Sequence, residues 1–282
     1  MKRAVFALFL AAGGVHSADL DQARALYERT EYRQALQMVD WKSARSGDEL
    51  LLAGKSLFGL GEYKKAVEVL QRAATAEPAS SAVQHWLGKS YGRLAETSGF
   101  LTAPGHASNC RKAFEKAVAL DARNILAMND LFEYYLEAPG FLGGGVDKAD
   151  ALAKRIATLD AAEGHYAQAK LAEKRRDPKG AEQHWRQAVQ AAPAQAGRLI
   201  DLAKFLARQG RLQESDQTFA QAERLAPGTP TLLFEKANVL IETKRNYQEA
   251  KRLLELYLKA ALTPDDPPRA EARKLLDRVA GA

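Results

Sequence analysis

Cysteine is nearly absent from this 282-residue chain, where Cys110 stands alone. A single thiol closes no internal disulfide and supplies no cysteine-rich zinc site, so stability must come from packing. Long apolar runs are also missing. The run from Ala4 to Val15 has 12 residues, well short of the roughly 20 that span a bilayer core as a helix, and no later segment comes closer. There is no block of one charge either. The 41 Lys+Arg and 35 Asp+Glu give +6, and the basic excess is scattered along the chain, a weak pull towards anionic partners. With 46% hydrophobic and 27% charged residues, the composition excludes a long disordered polymer, a collagen and a multi-span membrane protein.

Signatures of catalysis and of metal or nucleotide binding are scarce. The four histidines beyond residue 18, His85, His106, His165 and His184, form no HExxH or other ligand-spaced set, and no G-x-S-x-G exists, so no catalytic residue, cofactor or metal is expected. Cys110 occupies a small-residue packing position, where a buried, inert thiol is expected. The run Gly143-Gly144-Gly145 lacks the G-x-x-x-x-G-K-[ST] pattern and a preceding strand, and Asp147 with Asp150 would repel phosphate. Interspersed acids argue against nucleic acid.

Residues 1–18 have the grammar of a secretory leader: Lys2 and Arg3, then the apolar run, then small residues at Ser17 and Ala18. Cleavage is expected after Ser17 or Ala18, giving a secreted or periplasmic protein. Removal of Lys2 and Arg3 leaves 39 basic against 35 acidic residues, a charge of +4. No cysteine lies in the leader region to carry a lipid, so no stable membrane anchor is expected.

What the chain does contain is a repeat of 34 residues. Its clearest copy runs from Gly47 to Ser80. Leu50, Ala53, Gly54 and Leu57 share one helical face, Ala66, Leu70 and Ala73 share another, Gly61 lies between and Pro78 behind. These spacings of three and four predict two short helices packed as a hairpin. The pattern returns as Trp86-Leu87-Gly88 with Tyr91, completed by Phe114, Ala117 and Leu120. Later copies keep stricter time, with Ala169, Ala203 and Ala237 each 34 apart, as are Trp185 and Phe219, Ala188 and Ala222, and Pro193 and Pro227. Six or seven stacked hairpins sharing a continuous core follow.

These hairpins resemble tetratricopeptide repeats, whose pattern is W-x2-L-G-x2-Y, then Ala and Phe in the second helix, then Pro. Leu87, Gly88 and Tyr91 match the first part, with Gln84 where Trp is usual. Ala181, Trp185, Ala188 and Pro193 match the second, as do Phe219, Ala222 and Pro227, with Ser215 in place of Ala. The resemblance implies an all-α, right-handed superhelix of antiparallel helix pairs with a concave groove. It covers residues 19–263, and the tail, 264–282, is expected to form a polar-faced capping helix through Ala272, Leu275, Leu276 and Val279.

Two insertions break the rhythm, one of ten residues within Ala95 to Asn109 and one of about five within Glu137 to Val146. Both are expected in the turn between paired helices, and both carry Gly-Phe-Leu. Phe100, Leu101, Phe141 and Leu142 are therefore candidates for an apolar lip that meets a partner; the alternative is that they tuck against each other and seal the widened hairpins. The segment Pro-Gly-Phe-Leu-Gly-Gly, followed by Asp-Lys-Ala, is similar to the T-component of TRAP transporters, over about a dozen residues.

In the tetratricopeptide family the residue after the small packing residue usually faces the groove. The resemblance puts Lys55, Lys89, Glu133, Lys170, Lys204 and Asn238 there, with Arg93, Lys174 and Arg208 one turn further on. Three basic i,i+4 pairs then point along one face. A groove for anionic ligand groups would explain them, with His85, Asn129 and Tyr166 adding hydrogen bonds; otherwise the lysines pair with acids such as Glu173 or Glu242. The expectation is a non-catalytic exported scaffold that binds a protein or peptide carrying anionic groups. The alternative is a periplasmic transport accessory protein that docks on a solute-binding protein or holds a small organic anion.

Overall fold

The computed structural model describes residues 13–280, with side chains from 19 to 279. Residues 1–12 of the expected leader lie outside the described residues, while Ser17 and Ala18 belong to the first helix. Among the described residues there are fifteen α-helices and no strand. Fourteen of them pack in order as seven hairpins: α1 (Gly13–Glu28) with α2 (Tyr32–Met38), α3 (Gly47–Gly59) with α4 (Tyr63–Ala76), α5 (Ser81–Thr97) with α6 (Ala103–Leu120), α7 (Ile125–Glu137) with α8 (Val146–Leu159), α9 (Ala161–Lys174) with α10 (Pro178–Ala191), α11 (Ala196–Arg208) with α12 (Leu212–Leu225), and α13 (Pro230–Glu242) with α14 (Tyr247–Lys259). The last helix, α15 (Arg269–Ala280), packs on α13 and α14. The result is an all-α solenoid.

Small residues set how closely the helices approach. A Cβ on Gly54 would lie 2.5 Å from Leu70 of the partner helix, and one on Gly88 would overlap the Phe114 ring. Later hairpins use alanine: Ala169, Ala203 and Ala237 are fully buried, sharing core clusters with Trp185, Phe219 and Leu254 respectively. At such density one extra methyl group is felt. Ser215, fully buried where the motif has Ala, is tolerated because its hydroxyl donates to the Ala203 carbonyl at 2.8 Å.

The turns inside the hairpins, that of α5 and α6 apart, use a left-handed residue. Gly61 and Gly210 supply it at φ of +77° and +74°. At the equivalent places, 34 residues to either side of Gly210, stand Arg176 and Lys244 at +59° and +54°, where a side chain costs about 1 kcal/mol or more.

The first insertion corrects the expectation of a long turn. Its extra residues wind into helix, so that α5 has 17 residues and α6 has 18, against 13 and 14 in α3 and α4. Only residues 98–102 remain as turn, and Phe100 and Leu101 stand at the tip of an elongated hairpin. The second insertion is a true loop with a short 3-10 turn at Gly140–Leu142. Tyr134 Oη donates to the Leu142 carbonyl at 2.9 Å, and the Gly145 N–H to the Tyr135 carbonyl at 2.8 Å. Two of its four glycines have structural reasons: Gly143 is left-handed at φ +89°, and a Cβ on Gly144 would overlap the Ala138 carbonyl.

The array comes round on itself. Arg269, at the start of α15, donates to Thr30 Oγ1 at 3.3 Å across 239 residues of sequence. Glu271 lies 3.9 Å from Arg93 on α5. The C-terminal segment thereby reaches the first hairpin.

Candidate functional site

The first helices of successive hairpins contact one another directly, α1 with α3, α3 with α5, α7 with α9 and α11 with α13. They share one face, and towards its C-terminal end that face is laced by ion pairs between neighbours. Lys170 meets Glu133 at 3.4 Å, Lys174 meets Glu137 at 2.8 Å, Arg208 meets Glu173 at 2.9 Å and Lys204 meets Glu235 at 2.8 Å. Arg198 bridges Glu163 and Asp201. The hydrogen-bonding candidates are engaged too: Tyr166 donates to Glu133 at 3.1 Å, and Asn129 to Glu163 at 3.0 Å. Burial pushes the Asp201 carboxyl up to about 6, against the pull of Arg198 and Lys204.

This corrects the picture of an uninterrupted basic row. Lys170, Lys174, Lys204 and Arg208 do line one face, as the spacing says, but each already has a carboxylate from an adjacent hairpin. Glu173 is one of the acids foreseen in that role, whereas Glu133, Glu137 and Glu235 are not legible at a separation of 31 to 37 residues.

The N-terminal end differs. Lys55 lies over the rings of Tyr27 and Trp86, 4.4 and 5.3 Å from their centres. Lys89 lies over Trp86 and Phe58 at 4.4 and 5.8 Å. Phe58 meets the rings of Trp86 and Tyr63 edge-on at 5.4 Å. Arg93 covers Tyr63 at 5.4 Å while pairing with Glu96 at 2.6 Å. Among the described residues, no carboxylate comes within ion-pairing distance of Lys55 or Lys89. Burial lowers the Lys55 pKa, and Glu28 and Asp265 act in the opposite sense. Two ammonium groups thus rest on aromatic faces, an arrangement worth about 0.5–2 kcal/mol per contact, and both remain able to take an anion. Tyr27, Phe58, Tyr63 and Trp86 were not foreseen as site residues, because each reads equally well as core.

The remaining candidates separate. His85 is corrected from groove donor to buried residue: 6% exposed, it has its Nε2 2.6 Å from Asp130 Oδ2. Phe100, Leu101 and Phe141 are 89, 89 and 84% exposed, so they do not seal their hairpins against each other; Leu142 is half-buried. Cys110 is buried, and burial pushes its thiol up to about 12, as an inert packing residue requires. His165 and His184 face each other with Nδ1 atoms 3.3 Å apart. Two surface clefts, of about 480 and 540 Å³, lie beside Val39 and Leu253, and neither is lined by residues 96–109 or 138–146.

Residues 50–80 match the family model for the tetratricopeptide repeat. The whole array resembles a tetratricopeptide-repeat protein of Parabacteroides merdae at a TM-score of 0.60 and 9% identity, over 95% of this chain and 100% of that one. This is a tetratricopeptide-repeat fold. A thermophilic protein of the same repeat class from Thermus thermophilus matches at 0.56 and 19% identity, over 68% of this chain and 98% of that one. The Cut9–Hcn1 hetero-tetramer of the APC/C matches at 0.52 and 15%, over 91% of this chain and 48% of that one. No curated protein sequence matches the chain. Tetratricopeptide arrays are in general non-catalytic scaffolds for protein partners, and both the paired cations and the two lysines over Tyr27, Phe58 and Trp86 lie on the face formed by the first helices.

Proposed function

We propose that the chain is an exported, non-catalytic scaffold that binds a protein or peptide segment bearing acidic groups, and that the contact is centred on Lys55 and Lys89. One observation carries this reading. The cations further along the face are each met by a carboxylate, whereas Lys55 and Lys89 rest on Tyr27, Trp86 and Phe58 without one. An extended acidic segment would supply the missing charge, and its apolar groups would lie beside the half-buried Phe58 and Trp86 rings. The other cations then act chiefly in holding neighbouring hairpins in register. Phe100 and Leu101 offer a separate apolar contact at the tip of the α5–α6 hairpin.

The test is affinity capture from a host envelope extract with the mature protein, a Lys55→Ala, Lys89→Ala variant and a Lys170→Ala, Lys204→Ala variant. Loss of the captured protein in the first variant alone supports the proposal. Loss in the second alone would move the site to the ion-paired end.

The second reading, a transport accessory protein docking on a solute-binding protein, is favoured by the 84% exposure of Phe141 in the Pro-Gly-Phe-Leu-Gly-Gly loop. It requires capture to depend on Phe141, so a Phe141→Ser variant that loses its partner while the Lys55, Lys89 variant keeps it would select it.

A further inference from the structure

Packing of α9 against α10 brings together two histidines that stand 19 residues apart in sequence. Their Nδ1 atoms are 3.3 Å apart, and their rings lie at an interplanar angle of 30° with centres 5.6 Å apart. In the metal-free protein one ring donates to the other across that nitrogen separation, at the long end of a hydrogen bond. Neither imidazole has another hydrogen-bond partner among the described residues. A tetrahedral ion with nitrogen bonds of about 2.0–2.1 Å holds any two of its ligand nitrogens roughly 3.3–3.4 Å apart. The two nitrogens are therefore spaced as one edge of such a coordination shell.

From this spacing we infer that His165 and His184 form a two-imidazole site for Zn²⁺. Imidazole suits this ion, and the spacing is that of its tetrahedral shell and not of a tetragonal Cu²⁺ one. Among the described residues no group of three or more His, Cys, Asp or Glu converges, so water completes the coordination. Both side chains are half-buried, which leaves room for that water. The backbones are well held, because each histidine lies inside a 14-residue helix and its neighbours Ala167, Ala169, Ala181 and Trp185 are buried. A bound ion would pin α9 to α10 and stabilise the folded chain by mass action. Nothing in the spacing of the five histidines along the chain signals this pair, because it forms only when the hairpin closes.

The test titrates tag-free, full-length mature protein with Zn²⁺ and with Co²⁺, a tetrahedral stand-in for zinc, beside His165→Gln, His184→Gln and His106→Gln variants. One equivalent should bind to the parent and to His106→Gln, and neither pair variant should take up stoichiometric ion. Zinc should raise the thermal midpoint of the parent and leave those of the pair variants unmoved. Visible absorption of the cobalt-loaded parent, which depends on no variant folding, should show the intense bands of a tetrahedral site with nitrogen ligands. Absence of uptake by the parent, uptake unchanged by either pair substitution, or a cobalt spectrum with only the weak bands of an octahedral ion would overturn the assignment.

Discussion

At the scale of single residues, the shared face of the array trades charge for order. Asp201 shows this most clearly: burial beside Arg198 raises its pKa from 3.8 to about 6. An acid whose folded pKa is raised holds its proton more firmly in the native state. It therefore favours folding below about pH 4, and that contribution is lost as the pH climbs from about 4 to about 6. Asp201→Asn, neutral throughout, should have a higher thermal midpoint than the parent at about pH 7.5, with the gap closing at about pH 4. An equal gap at both values would contradict the burial of a charged carboxylate there. Such details escape a reading of the sequence, since the environment of Asp201 is assembled from α9, α11 and α13.

Helices and hairpins were far more legible. The 34-residue period located the hairpins because each must present a small residue to the next helix, and Gly54, Gly88, Ala169, Ala203 and Ala237 do so where the pattern puts them. A Cβ on Gly88 would overlap Phe114, whereas one on Gly92 would meet only Cys110 Sγ at 3.4 Å, an ordinary contact. Gly88→Ala should therefore cost about 1–3 kcal/mol, while Gly92→Ala should be neutral or stabilising by up to about 1 kcal/mol. Denaturant unfolding of the two variants checks both, and equal effects would mean that the α5–α6 packing is misplaced. The insertions were located but misread in kind at α5 and α6, because residues 95–109 contain Gly99, Pro104 and Gly105, which read as turn. Pro104 instead sits at the helix start, where its missing N–H has no cost.

On the scale of the whole molecule, length matters more than any motif. Seven hairpins bring Arg269 within hydrogen-bonding reach of Thr30 and Glu271 near Arg93, so the end of the array faces its beginning. Closure also sets Asp265 where it acts electrostatically on Lys55 and Tyr27. No local spacing announces this, because it is the summed rotation of every hairpin. Thr30→Ala with Glu271→Ala removes both long-range contacts while leaving the Arg269 bond to the Ala260 carbonyl in place. The double variant should show a larger radius of gyration in small-angle scattering, and an unchanged value would mean that the two contacts do not hold the ends together.

The central claim is that the charge left unmet by the array lies at Lys55 and Lys89. Trp86 stands between them, with its ring centre 5.3 Å from one ammonium and 4.4 Å from the other, which makes it an internal reporter. The decisive measurement is the fluorescence of a chain retaining Trp86, with Trp41 and Trp185 replaced by Phe, during titration with a glutamate-rich peptide containing aromatic residues. The account predicts a saturable change that weakens with added salt and vanishes with Lys55→Ala and Lys89→Ala. A saturable change that survives both substitutions would contradict it.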